Sequence, residues 1–112
     1  MKVWDRMKEI GGFYIHREYG GYFTHEKRFG YEKPKEAEFI SIEDIEKKYG
    51  KIVAVLDTCT KKDIEFFNMC QLKIWTEKYV ITIEEYDGLE YLITLPRNPP
   101  PEAEIVENTS KQ

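Results

Sequence analysis

Residues 72–95, with the sequence LKIWTEKYVITIEEYDGLEYLITL, form the stretch that decides the fold. They contain three runs rich in β-branched and aromatic residues, which are typical of strands on a half-buried sheet surface. The pair Asp87-Gly88 separates the second run from the third, and Asp-Gly between apolar runs is a strong hairpin signal. The stretch therefore predicts three consecutive antiparallel strands.

The register of the hairpin formed by the second and third runs depends on the length of its loop. A two-residue Asp87-Gly88 loop mixes charged and apolar side chains on both faces. A three-residue loop, which adds Tyr86 and makes Gly88 left-handed, pairs Ile83 with Tyr91. One face then carries Ile81, Ile83, Leu89, Tyr91, Ile93 and Leu95. Because burial of one apolar face fixes a register, we expect the three-residue loop.

The remaining chain predicts short helices and a further strand. Val3–Ile10 has apolar residues at helical spacing, and Ser41 with Asp44 forms a capping box for a helix that runs to Tyr49 and ends at Gly50. The apolar run 52–56 predicts a central strand buried on both faces. Residues 60–70 predict a third helix, with an extended strand through Phe66-Phe67 as the alternative. The fold class is therefore α+β, an antiparallel sheet of about five or six strands with two or three short helices packed on one face.

Length and composition predict one small soluble domain. A chain of 112 residues forms a single core, which we place in residues 1–95, and residues 96–112 are a Pro-rich and acidic tail that cannot order itself. No apolar run approaches the roughly 20 residues that span a bilayer, and the amino terminus does not resemble a signal peptide. We therefore expect a cytoplasmic protein with no membrane contact.

The two cysteines predict no metal or redox site. Cys59 and Cys70 lack CxxC spacing and any Cys/His ligand pattern. In a reducing compartment they are expected to be free thiols that pack as small apolar residues. No cofactor is predicted. Asp57 and Cys59 follow a buried strand, where active-site residues often lie, but any chain turns polar at a strand end.

A second hairpin is predicted in residues 13–29, where two aromatic runs flank Gly20-Gly21. A two-residue loop there places His16 directly opposite His25, with Cβ atoms about 5 Å apart. Glu18 lies diagonally on the same face. Two imidazoles and a carboxylate can bind a divalent metal that activates water, which gives a metal-binding protein or metal-dependent hydrolase as one interpretation. The alternative is a pair of partly exposed polar residues without a ligand.

Residues 13–31 also suggest nucleic-acid binding, because aromatic and basic residues that can stack bases and contact phosphates alternate there. Charge opposes this interpretation. The sequence pI is about 5.3, and phosphate neutralisation dominates nucleic-acid affinity. Residues 1–36 carry net charge +2 and residues 37–112 carry net charge −6.

The leading functional prediction is a small, acidic, non-enzymatic binding or regulatory protein, similar in role to an inhibitor or immunity protein that covers a basic surface. Its partner is expected to be a protein, and exposed strand edges also allow two copies to join. No catalytic motif such as a nucleophile elbow or a phosphate loop is present. The predicted partner-binding residues are Tyr14, Arg17, Tyr19, Tyr22, Phe23, Arg28, Glu84 and Glu90.

Overall fold

The structure is a computed structural model that describes residues 3–59 and 71–97. Within these ranges it has three helices, α1 (Val3–Ile10), α2 (His25–Arg28) and α3 (Ile42–Tyr49). The strands are β1 (Gly12–His16), β2 (Ala37–Ser41), β3 (Ile52–Asp57), β4 (Leu72–Thr76), β5 (Tyr79–Tyr86) and β6 (Leu89–Pro96). The predicted α+β class is confirmed. The strands form two antiparallel sheets, β1-β2 and β3-β4-β5-β6, where the sequence predicted one.

The β5–β6 hairpin has a two-residue loop, so the predicted three-residue loop is wrong. Glu85 pairs with Glu90 across the hairpin, and Asp87 and Gly88 form the turn with φ of 54° and 78°. Two consecutive left-handed residues make a type I′ turn, whose twist matches that of the flanking strands. The preference of Asp-Gly for a type I′ turn therefore outweighs the other register, in which all the apolar side chains would share one face.

This register changes which side chains of β6 face the core. Ile81, Ile83 and Leu92 point inward together with Glu90. The side chains predicted to be interior in β6 point outward instead, and Leu95 is 63% exposed. These outward residues are Leu89, Tyr91, Ile93 and Leu95.

The hydrophobic core lies between the four-stranded sheet, helices α1 and α3, and β1 of the two-stranded sheet. Val3 and Met7, one turn apart on α1, are fully buried against it. The other buried core members are Phe13, Ile15, Phe29, Ile45, Ile52, Val55, Leu72, Ile74, Ile81 and Ile83. The predicted helices α1 and α3 are confirmed. The Ser41 Oγ accepts the Asp44 N–H at 3.0 Å, and Gly50 caps the carboxyl end of α3 with φ of 99°.

The hairpin predicted around Gly20-Gly21 is wrong. Strand β1 pairs with β2, from Gly12 opposite Ser41 to His16 opposite Ala37, and every residue of β1 is buried. A ribbon of two local strands would leave β1 exposed on one side, whereas pairing with β2 lets it pack into the core. Gly20 and Gly21 lie in the loop 17–24, and both N–H groups donate to the Gly88 carbonyl oxygen at 3.3 Å.

Two further expectations are corrected. Strand β3 is an edge strand of its sheet, not a central one, although Ala54 and Val55 are both buried. Cys59 is buried and disulfide-bonded, so the expectation of a free thiol at this position is wrong. Cys70 and the helix predicted over 60–70 lie outside the described residues.

Strand β6 ends at Pro96, and Arg97 still belongs to the folded part of the chain. Its backbone N–H donates to the Lys78 carbonyl and its Nη1 donates to the Thr76 carbonyl, both at 2.7 Å. The rest of the predicted tail, residues 98–112, lies outside the described residues. Among residues 3–59 and 71–97, no helix is long and apolar enough to cross a membrane.

Replacement of Gly88 by Ala tests the type I′ turn. A Cβ at Gly88 would lie 2.6 Å from Cδ2 of Tyr19, in addition to the left-handed strain of φ +78°. We expect Gly88→Ala to lower the free energy of unfolding by more than the roughly 1–2 kcal/mol that a left-handed L-residue costs. Urea denaturation measures this quantity.

Gly11→Ala is the matched control, because Gly11 has a similar φ of +83° and a Cβ there meets no atom within 4 Å. Gly11→Ala should lower the free energy of unfolding by only about 1–2 kcal/mol, which is the cost of placing an L-residue in the left-handed conformation. Equal losses in the two variants would contradict the close contact between Tyr19 and Gly88.

Candidate functional site

A fully buried ion pair joins α2 to β6. The guanidinium of Arg28 contacts both carboxylate oxygens of Glu90, with Nη2 2.7 Å from Oε2 and Nη1 3.0 Å from Oε1. Neither side chain is exposed. Nη1 also donates to the Tyr14 carbonyl at 3.0 Å, and the His16 backbone N–H donates to Glu90 Oε1 at 2.8 Å. The pair therefore fixes β1, α2 and β6 relative to one another.

His16 lies beside this ion pair, with its ring in the interior. The imidazole stacks on Phe23, with ring centroids 4.8 Å apart. The backbone of Gly20 closes over the opposite edge of the ring, where a Cβ would come within 3.0 Å of Cε1. Nδ1 is buried and has no hydrogen-bond partner among the described residues. His16 therefore packs as an aromatic side chain and does not face solvent.

His25 contacts a different carboxylate at the other edge of the four-stranded sheet. Its Nδ1 lies 2.7 Å from Oδ2 of Asp57, the last residue of β3. The Asp57 side chain is fully buried, and its other oxygen, Oδ1, accepts the Cys59 N–H at 3.1 Å. The His25 ring remains 15% exposed and packs against Phe29, with centroids 5.0 Å apart. A buried carboxylate thus orients a partly accessible imidazole.

The strand pairing that the metal hypothesis required does not form. His16 lies on β1 and His25 begins α2, so the two are not cross-strand neighbours. Glu18 lies in the exposed part of the loop 17–24. In the described part of the chain, no group of three or more His, Cys, Asp or Glu side chains could hold a metal ion. The sequence did not predict the pairing of His25 with Asp57, because 32 residues separate them.

Exposed tyrosines surround the β5–β6 turn. Tyr19 is 86% exposed and covers Gly88, while Tyr86 and Tyr91 lie on the outward side of the hairpin with ring centroids 6.1 Å apart. We call these three residues the tyrosine surface. Their neighbours Glu84, Glu85 and Asp87 in the hairpin and Glu18 in the loop make this end of the molecule acidic.

Hydrogen bonds and ring contacts hold the tyrosine surface in place. The Tyr86 hydroxyl donates to Glu84 at 2.6 Å, and this hydrogen bond raises the pKa of the Tyr86 phenol. The Arg17 guanidinium lies 5.6 Å from the Tyr91 ring centroid and donates to the Glu90 carbonyl at 2.8 Å. These contacts restrain the side chains of Tyr86 and Tyr91.

The structure divides the predicted partner-binding residues into surface and interior groups. Arg17, Tyr19, Tyr22 and Glu84 are at least partly exposed. The interior group consists of Tyr14, Phe23, Arg28 and Glu90, none of which is more than 8% exposed. Tyr22 links the loop to β5, because its hydroxyl accepts the Glu85 N–H at 3.0 Å, and burial is the main cause of its raised pKa.

Basic residues in the segment 13–31 already have carboxylate partners. Arg17 pairs with Glu38 at 2.8 Å and Lys27 pairs with Glu36 at 3.3 Å. Arg28 is buried against Glu90. These contacts neutralise the cations that the nucleic-acid hypothesis needs for phosphate binding.

Three features of the described residues could serve a function: the Arg28–Glu90 ion pair, the His25–Asp57 pair and the tyrosine surface. The first is sealed from solvent, and the other two are accessible. Comparison of the chain with protein-family models, with curated proteins and with solved structures found no match.

Breaking the buried ion pair should be costly. Glu90→Gln leaves the Arg28 charge in the interior without a carboxylate, and we expect the free energy of unfolding to fall by about 3–5 kcal/mol. The double variant Arg28→Met/Glu90→Leu removes both charges. Its free energy of unfolding should therefore fall by less than the sum of the decreases in the single variants Arg28→Met and Glu90→Leu. Urea denaturation of the wild type, these two single variants and the double variant gives the coupling energy.

The exposed pair between Lys47 and Glu43 provides the control, since its side chains are 72% and 76% exposed. Lys47→Met should change stability by less than about 0.5 kcal/mol. If the decrease in the free energy of unfolding of Arg28→Met/Glu90→Leu equals the sum of the two single decreases, Arg28 and Glu90 are not energetically coupled.

Proposed function

We propose that this chain is a small binding protein that holds a basic protein partner against the tyrosine surface. The observation that carries the proposal is the position of the exposed tyrosines. Tyr19, Tyr86 and Tyr91 are 86%, 53% and 38% exposed around one turn. Tyrosine is enriched at protein interfaces because it offers a large contact area with few rotatable bonds.

Order in the free protein favours binding through this surface. The main-chain contacts of Gly20 and Gly21 with Gly88 hold the loop that carries Tyr19 on the turn. The hydrogen bond between Tyr86 and Glu84 restrains the Tyr86 ring. Since side chains that are already ordered lose less entropy on binding, these contacts lower the cost of forming a complex.

The acidic residues around the tyrosine surface favour a basic partner. The Glu84 carboxylate accepts the Tyr86 hydroxyl, Asp87 is exposed in the turn, and the exposed Glu18 precedes Tyr19 in the loop. The nearby guanidinium of Arg17 is already paired with Glu38. A second copy bound face to face would bring like charges together. Arginines of a basic partner would instead meet both tyrosine rings and carboxylates, through cation–π contacts and ion pairs.

A synthetic peptide of alternating arginine and glycine tests the chemistry of this surface. We expect saturable binding that weakens as salt is raised, since the ion pairs are solvent-exposed. The triple variant Tyr19→Ser/Tyr86→Ser/Tyr91→Ser should bind at least about tenfold more weakly, because it loses three cation–π contacts. NMR titration of the labelled protein measures the affinity and locates the peptide.

Tyr31→Ser is the matched control, because Tyr31 is 66% exposed and lies outside the tyrosine surface. It should bind the peptide as tightly as the wild type. Failure to bind, or equal weakening in both variants, would contradict the proposal. A protein partner should be retained from extract by wild type and Tyr31→Ser, with or without nuclease, and lost from the triple variant.

A further inference from the structure

We propose that His25 is a nucleophilic imidazole whose Nε2 accepts an acyl group from an uncharged activated ester, with Asp57 as its positioning residue. The inference depends on the contact between α2 and the end of β3. It uses no residue of the tyrosine surface, so it stands or falls separately from the proposed binding function.

The hydrogen bond to Asp57 fixes the tautomer of His25. A carboxylate only accepts hydrogen bonds, so Nδ1, which lies 2.7 Å from Oδ2, carries the proton of the neutral ring. The lone pair is therefore on Nε2. No described residue hydrogen-bonds Nε2. The His25 side chain is 15% exposed, which gives a reagent in solution access to the ring.

Burial makes Asp57 an effective partner for the charge that develops during attack. When Nε2 forms a bond to carbon, the ring becomes positive, and a carboxylate on the opposite nitrogen stabilises that charge. The Asp57 side chain is 0% exposed, where less water screens the interaction. The Cys59 N–H on Oδ1 keeps the carboxylate from rotating away.

The surroundings of His25 favour an uncharged substrate. Phe29 provides an apolar wall on one side of the imidazole. Asp57 on Nδ1 of the ring and Glu26 next in sequence repel anions, which disfavours phosphoryl donors. A neutral acyl ester is not repelled by either of these carboxylates.

The reaction balances with water as the only other reactant. The Nε2 lone pair attacks the ester carbonyl carbon, a C–N bond forms, and the C–O bond breaks as the alkoxide or phenolate leaves with the electron pair. The Nδ1 proton passes to solvent water, which balances the charge of the leaving alkoxide or phenolate, and a neutral acyl-imidazole remains. Water then attacks the acyl carbon, which releases the carboxylic acid and restores His25.

His16 is a matched control within the same chain, which contains two histidines in all. The His16 residue is 7% exposed, stacks on Phe23 and has no described carboxylate on its Nδ1. The same reagent should therefore leave it unmodified.

The experiment uses p-nitrophenyl acetate with the full chain, and follows p-nitrophenolate release by absorbance and the acetyl adduct by mass spectrometry. We expect His25→Gln to lower the rate about tenfold or more, while His16→Gln retains the wild-type rate. Asp57→Asn should also lower it about tenfold or more, because the amide can donate to Nδ1 and favour the wrong tautomer.

Imidazole ¹⁵N NMR supplies a readout that loss of stability alone would not produce. In the wild type the proton of neutral His25 should be on Nδ1, and in Asp57→Asn it should move to Nε2. The proposal is overturned by a proton on Nε2 in the wild type, by an unchanged rate in His25→Gln, or by an adduct on another residue. The wild-type spectrum and His25→Gln decide the question even where Asp57→Asn does not fold.

Discussion

The ion pair between Arg28 and Glu90 is the interaction on which the arrangement of the chain depends. Moving two charges out of water costs several kcal/mol per ion, and only good geometry with additional hydrogen bonds offsets that cost. Both conditions are met here, through two contacts between guanidinium and carboxylate and through further bonds to Tyr14 and His16. The contacts require β1, α2 and β6 to meet at one place.

The register of the β5–β6 hairpin and this ion pair support each other. In the three-residue-loop register Glu90 would point outward and Arg28 would lose this carboxylate from the core. In the observed register Glu90 points inward, and the adjacent Tyr91 necessarily points outward. Exposure of Tyr91 therefore follows from burial of Glu90. The tyrosine surface is thus partly a geometric consequence of a polar contact in the core.

Local signals in the sequence were sufficient to predict part of the fold. The candidate site, however, depends on contacts between residues that are far apart in the sequence. The capping box at Ser41 and the apolar spacing of Val3–Ile10 involve residues a few positions apart, and both helices formed as predicted. In contrast, 62 residues separate Arg28 from Glu90, and a glutamate in the run LEYLITL fits either face of a strand until its buried partner is known. Asp57 likewise ends an apolar run, but nothing local points to His25. Only the tertiary structure supplies these partners.

Helix α2 connects the two accessible features of the molecule. It has four residues, far fewer than an isolated helix needs, so tertiary contacts must hold it. His25 and Arg28 are three positions apart and lie on one face of the helix. His25 contacts β3 and Arg28 contacts β6, the two edge strands of the four-stranded sheet. A single turn of helix therefore fixes both the orientation of the His25 imidazole and the strand that carries Tyr91 of the tyrosine surface.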